Sequence, residues 1–413
     1  MKFNLQGSLF ALFLGALAAL PPISIDMALP ALVPIAHALR VTPGMAQLTL
    51  SFFMAGFALS PIAYGPLSDR YGRRPMLILG LALFTLGGLA CAVAGTLNLL
   101  LLARFVQGAG AGSGMTLAMA MVRDLFTGKK AQGRLAVITV VTNVAPMIAP
   151  ALGAALLSSM GWRAIYIATG LCGILLLLAI LCSLQETAPH QPPQHEPLIT
   201  VVARGYRRVL GHRRAMAYIV LNALGFSWMF AYITGSPLTF IDTFHTSASL
   251  FAVLFACTGS GIVAGATLNG KLAQWGVGIK WLLLGGVITA ACCTSALVIL
   301  TLTGSMSLWS FMPLLTLTTA SFGMVAPSAA HGALEPLGEV AGVGGGLLAS
   351  MQMLFAAGTS SVVAMLFPRI GVLAMTGCMC TLSVLALALA IPLLRGAAST
   401  GVTEQHEAVL SLH

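Results

Sequence analysis

Two ionisable side chains lie inside stretches that are otherwise apolar enough to cross a membrane, and we expect chemistry at these two positions. Asp26 is the one acidic residue well inside such a stretch, and Arg104 is the one basic residue inside another. A carboxylate at membrane depth is costly, so it usually faces a wet cavity and binds a proton or a substrate. A side chain that reaches the nearby membrane surface would explain Asp26 without such a role, and both interpretations remain open at this point.

The composition is typical of a membrane protein. Hydrophobic residues make up 58 % of the 413 residues, only 7 % are charged, and the mean hydropathy is +0.97. A soluble chain carries about 25 % charged residues, whereas lipid requires only apolar side chains and an internally hydrogen-bonded backbone. The net charge of +10 is dispersed in short loops without interleaved aromatic residues. We therefore expect lipid as the surrounding medium and no nucleic acid as a partner.

The sequence contains no pattern for a metal site or an enzyme active site. Its eight cysteines lie in apolar runs without the spacing of metal ligands, and its eight histidines lie in loops or tails. The glycine-rich run 342–346 begins an apolar stretch and follows no strand, so it favours helix packing over phosphate binding. We expect no metal, no cofactor and no enzymatic activity.

The apolar stretches predict an all-α membrane protein with about 12 spanning helices, each needing about 20 apolar residues. Of the 20 lysine and arginine residues, this map puts sixteen on the side of the N-terminus and three on the opposite side. Such a bias predicts that both termini lie in the cytoplasm. The predicted spans are 8–29, 47–64, 76–96, 98–122, 135–158, 162–184, 215–240, 249–270, 281–303, 307–330, 342–366 and 371–394.

A polar segment in the middle divides the chain into two halves of six spans. Its first part, Gln185–Pro197, is rich in proline, and its second part, Leu198–Arg214, has the apolar and basic alternation of an amphipathic helix on the cytoplasmic leaflet. Two pseudo-symmetric six-helix bundles predict a site at their interface. The predicted division is 1–184 and 215–395 for the bundles, 185–214 for the linker and 396–413 for a cytoplasmic tail.

The segment Gly65–Pro75 (GPLSDRYGRRP) concentrates charge between two apolar runs. A basic cytoplasmic loop would account for the charge alone, but the pattern Gly-x-Leu-x-Asp-Arg-x-Gly-Arg-Arg resembles the signature between helices 2 and 3 of the major facilitator superfamily. The resemblance implies a secondary transporter with a charged cytoplasmic latch between its halves, and it places the acid near the start of helix 11, around Gly342. The latch residues that it implies are Gly65, Asp69, Arg70, Gly72, Arg73 and Asp124.

The surroundings of both deep charges carry further resemblances. Ser24–Leu32 is similar to the first-helix motif of the Bcr/CflA drug-resistance subfamily, and Arg104–Gly110 (RFVQGAG) to a fourth-helix motif in which the arginine is tied to proton coupling. On the span map, Asp26 and Arg104 differ in depth by about 5 Å at about 1.5 Å per residue. We therefore expect them to share one layer of a cavity, with Arg104 holding Asp26 ionised until substrate or a conformational change weakens the pair.

Two more helices supply candidate residues. Pro146, Pro150 and Gly153 resemble the small-residue and proline motif of the superfamily's proton antiporters, and Gly225–Phe240 resembles helix 7 of the drug-resistance subfamily. Flexible thioether and aromatic groups suit loose apolar recognition. Simple packing would also explain an aromatic stripe, and an interhelical hydrogen bond would explain Asn143. The candidate substrate-binding residues are Asp26, Met27, Asn143, Trp228, Phe230, Tyr232 and Gln352.

These resemblances imply a proton-coupled efflux transporter in the inner membrane of a bacterial cell. Its substrates would be amphipathic drug-like compounds, such as bicyclomycin-type or chloramphenicol-type antibiotics, exchanged for protons by a monomer. A proton-coupled transporter of a natural metabolite, such as an amino acid, nucleoside or sugar, is the main alternative. A membrane-embedded sensor or enzyme on the same scaffold is a second alternative.

Overall fold

The structure is a computed structural model that describes residues 7–188 and 198–410. The proline-rich residues 189–197 of the predicted linker and both chain ends lie outside the described residues. The helices are α1 (Ser8–Asp26), α2 (Leu32–Leu39), α3 (Pro43–Tyr71), α4 (Arg73–Val93), α5 (Leu97–Leu125), α6 (Gly128–Met160), α7 (Trp162–Ser183), α8 (Leu198–Gly211), α9 (Arg213–Pro237), α10 (Ala248–Gln274), α11 (Ile279–Leu302), α12 (Leu308–Leu334), α13 (Ala341–Ile370) and α14 (Val372–Leu410).

The predicted all-α membrane fold is confirmed, since the described part of the chain is built from helices and contains no strand. Within that part, eleven helical segments are long and apolar enough to cross a membrane, and α1 and α2 together form one of them. The remaining predicted span corresponds to α5, which has 29 residues and the length to span, but its glycine-rich centre lowers its hydropathy. The last helix, α14, continues to Leu410 and so extends into the predicted tail.

Prolines shape the first helix around Asp26. Pro21 and Pro22 lie inside α1, and Pro30 lacks the backbone N–H that a regular helix would bond to the Asp26 carbonyl. The helix therefore ends at Asp26, and a single 3₁₀ turn, Leu29–Ala31, leads into α2. Asp26 thus lies at a break in the helix rather than on a continuous rod.

Helix packing produces two bundles, one on each side of the predicted linker. In the first bundle α3 packs on α5, α5 on α4 and α4 on α7; in the second, α10 packs on α12, α12 on α11 and α11 on α14. The bundles meet along two helix pairs, α3 with α13 and α6 with α10. This arrangement leaves a space between the bundles that helices from both of them surround.

A short helix, α8, connects the bundles at the end of the protein that carries Gly65–Pro75. It begins at the predicted Leu198, ends at Gly211, and packs against α3, α9 and α13. Val209 is fully buried and Arg207 is exposed, as expected for an amphipathic helix. Desolvation raises the pKa of the half-buried Tyr206 hydroxyl above its ordinary value, so this phenol stays neutral. The location of α8 on a cytoplasmic leaflet stays a prediction.

Candidate functional site

A cavity of about 270 Å³ lies between the two bundles. It is bounded mainly by α1 and α6 from the first bundle and by α9, α10 and α12 from the second. Of the described residues that line it, Asp26 is the only acid, and none is a lysine, arginine or histidine. The cavity therefore combines one carboxyl group with largely apolar walls.

The carboxyl group of Asp26 makes no direct interaction that would fix its charge. Asp26 is 4 % exposed, and its Oδ1 has no hydrogen-bond partner among the described residues. It also forms no ion pair in that part of the chain. A buried carboxylate without a partner is costly, so the site favours a bound proton or a cationic group of a substrate.

Aromatic side chains form the wall of the cavity on the side of the second bundle. The Tyr232 and Thr258 hydroxyls are 2.6 Å apart, and the Tyr232 ring stacks on Phe255 with 5.9 Å between centroids. Phe226 lies 4.7 Å from Phe230 and 5.7 Å from Phe322, measured between ring centroids. These contacts pack the rings against one another and so fix the shape of the cavity wall.

Sequence reasoning missed most of this wall, although a helical pattern marks it. On α9, the cavity residues Phe226, Met229, Phe230 and Ile233 follow the spacing i, i+3, i+4, i+7 of one helix face. On α10 the same spacing joins the cavity residues from Phe255 to Ile262. Matching periods in consecutive helices could have identified both faces from the sequence.

Arg104 lies outside the cavity, and the expected pairing with Asp26 is absent from the structure. Its Nη1 donates to Gln107 Oε1 at 2.7 Å, and its Nε donates to the Thr49 carbonyl at 3.4 Å. The guanidinium group also lies over the Phe53 ring, 4.4 Å from the centroid. Arg104 is fully buried, and its guanidinium group lies beside aromatic rings of α3 and α7.

The other candidate binding residues divide into two groups. Asn143, Phe230 and Tyr232 line the cavity together with Asp26. The remaining three do not line it: Met27 packs in a separate cluster with Ala149 and Tyr166, Trp228 is fully buried away from the lining, and the Gln352 amide donates to Asn222 Oδ1 within the second bundle.

The match to a family model decides the family. The model described as Major Facilitator Superfamily matches residues 12–359, which is most of the chain. The chain belongs to the major facilitator superfamily. The predicted family is thereby confirmed, and the chain is a multi-pass membrane transporter rather than an enzyme.

Curated relatives of this transporter match over most of their length. One from Bacillus subtilis, named uncharacterized MFS-type transporter YdgK, is 34 % identical over 361 residues, covering 86 % of this chain and 88 % of the relative. The bicyclomycin resistance protein homolog of Haemophilus influenzae is 26 % identical over 86 % of this chain and 89 % of its own. Multidrug resistance protein D of Escherichia coli is 26 % identical over 368 residues, covering 87 % of this chain and 89 % of the relative.

Solved structures support the same fold. An inward-facing bacterial homolog of the human lysosomal transporter Spinster superposes with a TM-score of 0.73 at 17 % identity, covering 95 % of this chain and 98 % of that one. A D-xylose–proton symporter superposes with a TM-score of 0.68 at 16 % identity, covering 94 % and 97 %. At these identities the similarity shows the fold alone.

The proline motif of α6 packs this transporter's first bundle around the break in α1. Pro146 lines the cavity, and Pro150 is buried inside α6. A Cβ atom at Gly153 would lie 2.1 Å from the Met27 carbonyl oxygen, so only glycine permits this approach. The motif thus supports the backbone next to Asp26, and its role in antiport stays a prediction.

The predicted latch residues form a charged cluster beside Gly72. Arg73 Nε lies 2.8 Å from Asp124 Oδ2, and Arg73 Nη1 lies 2.5 Å from Asp69 Oδ1. Gly72 has a φ of +99° between α3 and α4, a conformation that favours glycine. A Cβ atom at Gly65 would meet no atom within 4 Å. Arg70 is exposed and lies beside the Tyr71 ring.

The cluster lies within the first bundle in this structure. Asp69 is half exposed and makes no hydrogen bond to the start of α13 among the described residues. Arg123 Nη1 lies 4.0 Å from where a Cβ of Gly342 would be. A missed residue, Glu186, accepts from the backbone N–H groups of Arg73 and Arg74 at 2.8 and 3.2 Å and so caps the start of α4. Clamping of the two halves by Asp69 stays a prediction.

Replacing Arg73 by Ala is expected to destabilise the transporter by about 2 kcal/mol, less than for a fully buried pair because Asp69 is half exposed. The change would leave the carboxylates of Asp69 and Asp124 without their shared cation. The unfolding midpoint of purified protein in detergent measures the effect. Arg70→Ala is the matched control, because it removes an exposed arginine three residues away, and we expect it to shift the midpoint little. Equal shifts for the two variants would contradict this role for Arg73.

Proposed function

We propose that this transporter exports amphipathic organic compounds in exchange for protons, and that Asp26 carries the proton. The observation that carries the proposal is a single unpaired carboxyl group in a cavity whose other described lining residues include no basic side chain. The relatives named for bicyclomycin and multidrug resistance support export of drug-like compounds.

The chemistry of the cavity favours substrates that carry one positive charge. A cationic group and a proton would compete for the same carboxyl oxygens of Asp26. The faces of Phe230, Tyr232 and Phe255 attract a cation electrostatically, and the flexible side chains of Met229 and its neighbours adapt to different apolar shapes. Neutral antibiotics of the bicyclomycin or chloramphenicol type would rely on these walls and on hydrogen bonds that their hydroxyl or amide groups donate to the Asp26 carboxylate.

The transport cycle follows from this competition. When the cavity opens to the outside, a proton binds Asp26 and the substrate leaves. When it opens to the cytoplasm, the proton leaves and the carboxylate binds a new substrate.

We further propose that Arg104 contributes to transport through the packing of α3, α5 and α7, which its contacts join. We also propose that the transporter works as a monomer in the bacterial inner membrane, with both termini in the cytoplasm.

A natural metabolite is a poorer fit to the cavity. An amino acid would need a cationic partner for its carboxylate, and no lysine, arginine or histidine is among the described lining residues. A sugar or nucleoside would need many hydrogen-bonding groups, whereas the lining offers few beyond Asn143 and the threonines 142, 258 and 319. The walls therefore favour apolar substrates with a single charged or donor group.

Everted membrane vesicles test the proposal. After the vesicle interior has been acidified, adding ethidium, an aromatic cation, is expected to release protons and collapse the pH gradient, as a pH-sensitive dye reports. Chloramphenicol is expected to give a smaller response because it has no cationic group, and xylose or alanine is expected to give none. A gradient that collapses with alanine or xylose but is unaffected by ethidium would overturn the proposal in favour of the metabolite.

A further inference from the structure

A hydrogen bond joins the two bundles at the end of the protein that faces away from Gly65–Pro75. The Gln47 side-chain Nε2 donates to the Thr234 backbone carbonyl at 2.7 Å, and both residues are fully buried. Gln47 lies near the start of α3, about 36 Å along the helix from Tyr71 at its other end. We propose that Gln47 is a positioning residue that holds this end of the transporter closed.

The local sequence of α9 makes the Thr234 carbonyl available as an acceptor. Where α9 ends at Pro237, the capping backbone N–H bonds to the Gly235 carbonyl, one residue beyond Thr234. Pro237 itself has no N–H for the Ile233 carbonyl, which accepts from the Ser236 hydroxyl at 3.0 Å instead. The carbonyls of Ile233 and Gly235 thus accept hydrogen bonds from neighbouring residues of the same segment. The Thr234 carbonyl between them accepts from Gln47 of the other bundle.

Neighbouring contacts make this bond part of a closed junction of three helices. The Thr234 hydroxyl donates to the Ser360 hydroxyl of α13 at 2.9 Å, so Thr234 ties α9 to both α3 and α13. At the same end, a Cβ at Gly44 would lie 2.3 Å from the Ala364 carbonyl oxygen of α13. The backbones of α3 and α13 are therefore closely packed at this end. Opening this end requires α3 to separate from α9 and α13 together.

The Gln47 amide joins the bundles through its Nε2 donor and not through its Oε1 acceptor. Its Nε2 makes the bond between the bundles, whereas its Oε1 has no partner among the described residues. A buried amide with one unsatisfied atom is unfavourable for simple packing. A leucine of similar size would pack as well, so the bond to Thr234 is the contribution that the amide makes.

The junction is directly connected to the cavity. Thr234 follows Tyr232 by two residues on α9, and the same helix carries the cavity face from Phe226 to Ile233. Loss of the bond would free this end of α9 to move away from α3 and would open the cavity at that end. This movement of the bundles does not depend on which compound is carried.

Distances between spin labels test, without any substrate, whether Gln47 holds this end of the transporter closed. Ala38→Cys in α2 and Ser249→Cys in α10 place labels on exposed positions of different bundles at this end, in full-length protein whose eight native cysteines have been replaced. In Gln47→Leu, double electron–electron resonance is expected to show a roughly fivefold larger ratio of open to closed distances, the effect of losing one such bond. An unchanged distance distribution would overturn the proposal.

The control is an amide that bonds within one bundle. Asn269 of α10 donates to the Met324 carbonyl and to the Ser328 hydroxyl, both on α12. Asn269→Leu also loses buried amide hydrogen bonds but joins nothing across the bundles, so we expect the Ala38–Ser249 distances to stay as in the parent. An equal shift in this variant would overturn the proposal, because general loosening would then explain the result for Gln47.

A second variant covers the case in which Gln47→Leu does not fold. Gln47→Glu keeps the length of the side chain but, when ionised, has no proton to donate to the Thr234 carbonyl. Burial favours the protonated carboxyl, which still donates, so the closed population is expected at low pH and the open population is expected to increase at alkaline pH, where the carboxyl ionises. A population that stays equally closed from acidic to alkaline pH would overturn the proposal.

Discussion

Asp26→Asn is expected to abolish ethidium-driven proton release from everted vesicles. Asparagine keeps the size of the side chain at the end of α1, but it neither exchanges a proton nor carries a negative charge. Ethidium binding is expected to weaken about 10- to 100-fold, the effect of losing a hydrogen bond or contact to a charged partner. Binding by the parent should weaken as the pH falls, because protons compete for the carboxylate, whereas binding by the variant should not depend on pH.

The matched control is Asp242→Asn. Asp242 lies in the short π-helical segment Leu238–Thr243 that follows α9, is exposed and does not line the cavity. This variant is expected to release protons as the parent does. If Asp26→Asn kept its proton release while reaching the membrane in normal amounts, Asp26 could not be the proton carrier.

The number and order of helices could be predicted from the sequence because lipid constrains the chain so strongly. Every backbone polar group in the bilayer must bond internally, so each long apolar stretch had to be a helix. The break at Asp26 was also predictable, since Pro30 lies four residues after it. The rarity of charge also singled out Asp26 as a cavity residue, and Asp26 lines the cavity.

The direction in which a side chain points was the main quantity that the sequence did not provide. Residue counting along two helices gives their depth, and it placed Asp26 and Arg104 in one layer. Depth does not give rotation about the helix axis, and Arg104 instead faces Thr49 and Gln107. Trp228 failed as a cavity candidate for a similar reason: it is fully buried and does not line the cavity, whereas its neighbours Met229 and Phe230 do.

Contacts between segments that are far apart in the chain could not be predicted from the sequence either. Glu186 caps α4 from beyond the end of α7, and no local pattern near Arg73 indicates it. Gln47 meets the Thr234 carbonyl across 187 positions in the chain. Such pairs become visible only when the packing of the helices is known, because a backbone carbonyl carries no signature in the sequence.

Gly108→Ala is expected to destabilise the transporter by about 3 kcal/mol, at the upper end of overpacking effects. A Cβ atom at this position would lie 1.9 Å from the Phe53 carbonyl oxygen, so α3 and α5 would have to separate. The obstacle is backbone rather than a flexible side chain, and it cannot be relieved by a change of rotamer. Gly56 makes the reciprocal approach, since its Cβ would lie 2.1 Å from the Phe105 carbonyl oxygen.

Separation of these helices would also disturb the buried charge. Arg104 on α5 bonds to the Thr49 carbonyl on α3, and Phe57 on α3 lines the cavity. Gly285→Ala is the control for the unfolding midpoint in detergent: Gly285 is exposed on α11 with no atom within 4 Å of its Cβ position. Alanine there is expected to be neutral or slightly stabilising, because it restricts the unfolded chain. Equal midpoints for Gly108→Ala and Gly285→Ala would show that α3 and α5 are packed less closely than the structure has them.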